Sequence, residues 1–288
     1  MPELPEVETI KRGLAKSIIG KTIADVDVRV AKIFHGRKED ILGAKILNIK
    51  RRAKMIIIGL NNSQSLLIHL KMTGQLVFDQ KPNVKSTRTA GGHPSKELAM
   101  DLPNKYSHAI FKFSDKSVLY FNDMRKFGYI KIYATEQIDK LKVLSNLGPD
   151  PIEGELKAEY LKKAFSKRPK IKIKQILLDQ TVISGVGNIY ADEALFCAGI
   201  SPLRLAKNIK NSELEKLIEC IKKVMLLSLK YGGSSENTYV DSEGKKGQMQ
   251  NYFQVYRKTG DECPRGCGEI VRTVVGGRGT HYCPKCQK

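Results

Sequence analysis

The chain opens Met-Pro-Glu, so removal of the methionine leaves a secondary amine with a carboxylate directly behind it. Proline is small enough in second position for that removal, and Pro2 is expected to begin the mature chain. An α-amino group has a pKa of about 7.7–8.0 against about 10.4 for lysine, so roughly a quarter of it is neutral at about pH 7.4. Such an amine attacks a carbonyl or sugar carbon to give an iminium ion, a covalent intermediate of the Schiff-base type. Glu3 stands beside it as a proton donor or acceptor. Taken alone, a Met-Pro start is more often only the start of a chain.

A second chemical signal lies at the other end. Cys263, Cys267, Cys283 and Cys286 are spaced C-x3-C-x15-C-x2-C. Two cysteine pairs separated by a hairpin-length segment are the spacing of a tetrahedral structural zinc site. Two disulfides or four unrelated thiols are the competing readings. Disulfides are disfavoured by the absence of a secretion signal or a membrane-length apolar segment, and one zinc ion is expected. Cys197 and Cys220 each lie in an apolar, helix-like run and are expected as separate buried thiols.

Charge says what such a protein touches. Lys and Arg total 50 against 30 Asp and Glu, a net charge of +20. That field attracts polyanions, and joined to a zinc module it points to nucleic acid rather than a membrane or an acidic protein. Between Lys167 and Lys174 five of eight residues are cationic. Lys170 and Lys174 are expected on one helix face, gripping successive phosphates.

The elements that must position these groups divide the 288 residues in two. One helix leads, with Pro5 in its first turn, Glu6 and Glu8 at its positive end, and Val7, Ile10, Leu14 and Ile18 as an apolar stripe ended by Gly20. Short β-rich runs come next at 24–30, 55–60, 65–70, 109–113, 117–121 and 128–133, the pattern of an antiparallel sandwich. Residues 80–105 read as a long exposed loop. After Leu147-Gly-Pro-Asp-Pro-Ile the texture becomes helical, at about 157–165, 171–178, 189–198 and 212–230. Ser184-Gly-Val-Gly-Asn-Ile-Tyr is a glycine turn between two of these helices, with Asn188 a candidate cap. Residues 231–251, rich in Gly, Ser and charge, are expected to be mobile. The fold class is α+β and multidomain: a sandwich with its leading helix at 1–135, a linker at 136–150, a helical module at 151–251, and a zinc hairpin at 252–288.

Together these features resemble the formamidopyrimidine-DNA glycosylase family of base-excision repair enzymes. The resemblance runs through Pro2-Glu-Leu-Pro-Glu-Val-Glu, Arg51-Arg-Ala-Lys54, His69-Leu-Lys-Met72-Thr-Gly and Asp123-Met-Arg125-Lys-Phe127-Gly. It continues through Gly185-Val-Gly-Asn188-Ile-Tyr-Ala-Asp-Glu and Gly277-Arg278-Gly-Thr-His-Tyr-Cys-Pro-Lys-Cys-Gln. Leu4 favours this branch over endonuclease VIII-like relatives, which usually carry glycine there. The resemblance implies that the helical module is a helix–two-turn–helix, with DNA in the cleft between the halves.

It also implies roles. Pro2 attacks the deoxyribose C1′ of an extruded oxidised purine, 8-oxoguanine or a formamidopyrimidine, and β- and δ-elimination ensue. Glu3 moves protons on the opening sugar, and Lys54 transfers protons and meets phosphate. Met72, Arg125 and Phe127 form a wedge that fills the hole left by the flipped nucleotide. Lys174, Asn188 and Arg278 hold backbone phosphates, Arg278 also serving the last elimination. His69 and Tyr106 are expected at the DNA and Glu6 at the lesion. In three places the chain departs from the family: C-x3-C stands for C-x2-C, Tyr106 for a common histidine, and Ser234-Ser-Glu-Asn-Thr for the usual loop over the base.

The partner implied is damaged double-stranded DNA. The chain is expected to be monomeric, without an obligate protein partner or membrane, in the cytoplasm at the nucleoid. The rival readings are a non-catalytic zinc-finger damage-binding or regulatory protein, and an RNA-binding zinc ribbon. The first does not need Pro2, Glu3 and Lys54 together, and a large β-sandwich and a flipping wedge argue against the second.

Overall fold

Glu3 and Glu6 begin the first helix as a reciprocal cap, Glu6 Oε2 accepting the Glu3 amide at 2.9 Å, with Pro5 in the first turn. This helix, α1 (Leu4–Ile18), turns Val7, Ile10, Leu14 and Ile18 into the core. A helix of about 15 residues is marginal alone in water. Those four side chains, each worth roughly 1.5–3 kcal/mol when buried, hold it in place.

The computed structural model describes residues 1–82, 101–154, 156–234 and 247–288, together with the backbone of 88–92. They form two units, one of Met1–Ser145 with Leu229–Gln250, the other of Asn146–Ser228 with Asn251–Lys288. Among the described residues, no helix is long and apolar enough to cross a membrane.

The first unit is a sandwich. Its strands are β1 (Ile23–Val28), β2 (Phe34–His35), β3 (Ile46–Arg52), β4 (Met55–Leu60), β5 (Gln64–His69), β6 (Gly74–Asp79), β7 (Arg88–Gly92), β8 (Ser107–Phe113), β9 (Val118–Asp123) and β10 (Tyr129–Ala134). One sheet runs β1-β8-β9-β6-β7 and the other β2-β10-β5-β4-β3. Neighbours are antiparallel, except that β2 runs parallel to β10. Leu76, Phe111 and Phe121 of one sheet join Ile56, Ile58 and Ile68 of the other in a single core with α1. A 3₁₀ turn, Thr135–Lys140, and α2 (Lys142–Ser145) come after β10.

Four strands lie outside the runs read from sequence, the shortest being the two residues of β2. Every residue of β6 is buried, so no alternation marks it. Strand β3 shifts register between Ile46 and Asn48 and ends in Lys50, Arg51 and Arg52, which hides its pattern. The loop expected at 80–105 is corrected at Arg88–Gly92, which pairs with β6 from Gln75↔Gly92 to Asp79↔Arg88. An open sheet edge needs only backbone donors and acceptors, and composition does not report them. Residues 83–87 and 93–100 of that segment lie outside those described, as do 235–246 of the segment expected to be mobile.

The second unit holds α3 (Ala158–Ser166), α4 (Ile173–Leu178), α5 (Asn188–Ala198) and most of α6 (Asn211–Lys230), then the hairpin β11 (Val271–Val275) and β12 (Arg278–Tyr282). The expected shared face of Lys170 and Lys174 is not there. Helix α4 begins at Ile173, so exposed Lys170 precedes it, while Lys174 is wholly buried. Gly187, rather than Asn188, takes the cap position of α5. Cys197 and Cys220, expected as separate thiols, are bonded to each other and join α5 to α6, their Cα atoms 5.7 Å apart. Cys197 lies on α5 and Cys220 on the buried face of the amphipathic α6, and only the packing of those helices makes them neighbours.

Candidate active site and nucleic-acid interface

Pro2 and Glu3 are buried at the N-terminus of α1. Glu6, one turn on, uses both carboxylate oxygens on the chain itself: Oε2 takes the Glu3 amide and Oε1 the Ser234 amide, each at 2.9 Å. Lys54 lies in the two-residue turn between β3 and β4, where Arg52 pairs with Met55, and its exposure is only 7%. Ala53 in that turn has φ +53°. A left-handed alanine costs about 1–2 kcal/mol, so surrounding contacts must hold the turn.

His69 ends β5, opposite Met55 of β4 and Tyr129 of β10. Its Nδ1 accepts the Lys71 amide at 3.0 Å. Burial, with the charges of Lys71 and Lys54, brings its pKa down to about 3. The ring is therefore neutral, and with Nδ1 accepting, Nε2 carries the proton and is left as a donor.

Met72 and Phe127 are exposed, by 41% and 54%, which removes them from the core where an isolated reading of their types would place them. The Arg125 guanidinium stacks 4.8 Å from the Phe127 ring. Asp123, fully buried at the end of β9, ties this segment to that of Met72. Its Oδ1 accepts the Thr73 hydroxyl and, at 3.1 Å, the Arg125 amide; its Oδ2 accepts the Gly128 amide at 2.7 Å. Tyr106 is half-buried beside it, its carbonyl accepting the Asp123 amide at 3.0 Å. The first unit thus presents Met72, Arg125 and Phe127 on two loops organised by one carboxylate.

In the second unit, Arg278 is exposed at the start of β12, after a two-residue turn. Gly276 and Gly277, at φ +57° and +74°, are both left-handed, as a type I′ hairpin requires. Lys174 reaches the strand beyond: Nζ donates to the Thr280 hydroxyl at 2.8 Å and the Gly279 carbonyl at 3.1 Å, and pairs with Asp192 Oδ1 at 2.6 Å. Asp192 Oδ2 takes the His281 amide at 2.9 Å, and Asn188 Nδ2 donates to the Gly279 carbonyl at 3.0 Å. Lys174 and Asn188 therefore grip the hairpin that carries Arg278, whereas Lys170 stands apart.

Sequence reasoning passed over Asp123, Asp192 and Glu193. Glu193 accepts the amides of Gln254, Val255 and Tyr256 at 2.9–3.1 Å, and burial raises its pKa against those bonds. One signal was legible: Asp192-Glu193 interrupts the otherwise apolar Ile189–Phe196 run of α5, and carboxylates are rarely buried without partners.

The sulfur atoms of Cys263, Cys267, Cys283 and Cys286 all lie within 4.8 Å of one another. The closest separations are 3.3, 3.5 and 3.8 Å. Four thiolates about 2.3 Å from one tetrahedral ion lie about 3.8 Å apart, so the donor set fits zinc. The longer first knuckle closes through Gly266, whose φ is +66° and whose amide donates to the Cys263 carbonyl at 2.7 Å. Phe196, Val255 and Ile270 enclose the sulfurs in an apolar shell.

Residues 1–130 match the model of the formamidopyrimidine-DNA glycosylase N-terminal domain, 147–240 that of the formamidopyrimidine-DNA glycosylase H2TH domain, and 260–288 that of a zinc finger found in FPG and IleRS. The formamidopyrimidine-DNA glycosylase of Carboxydothermus hydrogenoformans is 40% identical over the whole of both chains. That of Streptococcus mutans is 38% identical, again over both whole chains. Lactococcus lactis Fpg, solved with DNA containing an abasic site, aligns with a TM-score of 0.85 and 34% identity over 99% of each chain. MutM in complex with DNA containing carbocyclic 8-oxo-G aligns with the same TM-score and identity over all of both chains.

Proposed function

The chain belongs to the formamidopyrimidine-DNA glycosylase family and is a DNA glycosylase for oxidised purines, and from that premise we propose that it works through an imine at Pro2. The target nucleotide leaves the stack, which costs a few kcal/mol. The Pro2 nitrogen, free once Met1 is removed, bonds to C1′ as the base departs. The resulting iminium acidifies the sugar, and β-elimination then δ-elimination release the two phosphates, the AP lyase step. Glu3 protonates and deprotonates the opening sugar. Lys54 supplies a proton or meets a phosphate from a turn that cannot swing freely.

Met72, Arg125 and Phe127 fill the vacated stack, with Arg125 facing the orphaned base. Neutral His69 offers its Nε2 proton to a phosphate oxygen, and Tyr106 and Lys170 face the duplex. Glu6 bears on the lesion through the Ser234 amide that it holds. Arg278 meets phosphate directly. Lys174 and Asn188 set the strand that presents Arg278. One structural zinc ion on Cys263, Cys267, Cys283 and Cys286 cross-links the base of that hairpin.

Functionally we divide the chain into a catalytic domain at 1–135, a linker at 136–150, a helix–two-turn–helix domain at 151–251 and a zinc finger at 252–288. Damaged duplex DNA is the partner, met by a monomer at the nucleoid. The observation that carries this reading is the pairing of Pro2 and Glu3, buried together at the head of α1, with Lys54 confined to a strained turn. A non-catalytic damage-binding protein needs none of the three. Borohydride reduces an imine to a stable adduct, so the protein should become covalently attached to abasic-site DNA. An N-terminal extension that blocks the Pro2 amine should abolish this, and Pro2→Gly should weaken it. Full trapping by the extended protein would overturn the assignment.

A further inference from the structure

Glu8 and Arg51 stand inside two of the motifs around Pro2 and Lys54, yet the imine chemistry uses neither. Both are buried, with side-chain exposures of 4% and 1%. Arg51 Nε donates to Glu8 Oε2 at 3.0 Å, and Nη1 donates to the Ala53 carbonyl at 3.2 Å. The other Glu8 oxygen receives Arg12 Nε at 2.8 Å and Lys11 Nζ at 3.1 Å. Burial pushes the Glu8 carboxyl up, but the bonds from Arg12, Arg51 and Lys11 outweigh it and hold the group below its ordinary value. The carboxylate is thus ionised wherever the protein is folded near neutral pH.

The geometry joins two elements at their functional ends. Glu8 lies on α1, six residues beyond Pro2, and Ala53 immediately precedes Lys54. Apolar contacts between α1 and the sheet bury area but have no direction, so they permit sliding and tilting. A guanidinium donates from a rigid planar fork, and one fork here holds the helix and the turn together. The carbonyl that it holds belongs to the left-handed Ala53, the residue whose conformation most needs an outside restraint.

We propose that Glu8 and Arg51 are positioning residues for the imine chemistry: the Glu8–Arg51–Ala53 carbonyl chain is a strut that sets Lys54 against Pro2. This rests on the proposed roles of Pro2 and Lys54. The test uses the full-length protein under single-turnover conditions on an abasic-site duplex, with borohydride trapping of the adduct. Arg51→Lys keeps a cation for Glu8 but loses the fork. Its trapping rate constant should fall about 10–100-fold, the cost of a small misplacement of a reacting group. Binding of a non-cleavable abasic duplex should hold, and Glu8→Gln should shift the rate the same way. A merely destabilised protein would lose trapping amplitude, through a smaller folded fraction, and keep its rate constant.

A second measurement guards against a general defect. In a Lys54→Gln background, Arg51→Lys should cost no further rate, because the residue it positions is already gone. An unchanged rate constant, a loss confined to amplitude, or an undiminished penalty in the Lys54→Gln background would each overturn the strut. Failure of the wild-type protein to trap any DNA would instead overturn the Pro2 assignment itself.

Discussion

His69 is held as a neutral donor by three things that its position in the sequence does not show: burial at the end of β5, the charge of Lys71, and that of Lys54. The consequence for pH is signed. The folded value is about 3, against 6.5 for an ordinary histidine, so on acidification the unfolded chain takes up this proton first. Stability from this group is complete above the ordinary value and declines as pH falls below it towards the folded one. The His69 ring resonances should therefore show no titration down to about pH 4.5. Between about pH 7 and 5 the wild-type Tm should fall further than that of His69→Gln. A ring that titrates at its ordinary value would contradict both the burial and the tautomer assigned to it. The same scale explains Lys174. Its type and its basic neighbours match a phosphate ligand, but full burial against Asp192 and Thr280 makes it a brace for Arg278.

Two loops become one element when Asp123 accepts bonds from Thr73, Arg125 and Gly128. On that frame Phe127 is 54% exposed, so its removal should leave stability nearly unchanged, as surface substitutions usually do within about 0.5 kcal/mol. Catalysis should respond differently. Stacking of a base on an aromatic ring is worth roughly 1–3 kcal/mol, comparable to the few kcal/mol that extrusion costs. Phe127→Ala should slow excision from duplex DNA about ten- to a hundredfold, while abasic and single-stranded substrates lose much less. Equal losses on all three substrates would show that the ring does not serve extrusion. The motif around Asp123 was legible in the sequence. The part played by its carboxylate was not, because two of its bonds go to backbone amides and one to a threonine fifty residues away.

At the scale of the whole molecule, the net charge of +20 attracts polyanions, and the described residues form two units. The zinc hairpin belongs to the second unit, where Asp192 and Glu193 of α5 take the amides of His281 and of Gln254, Val255 and Tyr256. In small zinc domains metal binding is worth about 10–16 kcal/mol, much of it appearing as folding energy. Cys283→Ser, or a strong chelator, should therefore unfold the hairpin, displace Arg278 and abolish duplex binding, while the sandwich keeps its cooperative melting. Protein purified without chelator should contain one zinc per chain, and its absence would overturn the metal assignment.

Determined by the sequence alone were the periodic and the local: the stripe of α1, the strand Met55–Leu60, the helical second half and the cysteine spacing. Those features arise from side-chain period in the helices, from the unbroken Ile56-Ile-Ile run of the strand and from ligand spacing over a few residues, which a linear string records. The tertiary structure alone decided which surfaces are sealed and which groups meet. Strand β7 exists because the edge of β6 offers unpaired backbone groups, whatever its own composition. Cys197 and Cys220 bond because α5 and α6 pack with those two positions facing. Lys174 is buried and Phe127 exposed, against the habit of each residue type, because burial is set by packing between segments distant in sequence, and a residue's type records only what it would favour if the choice were free.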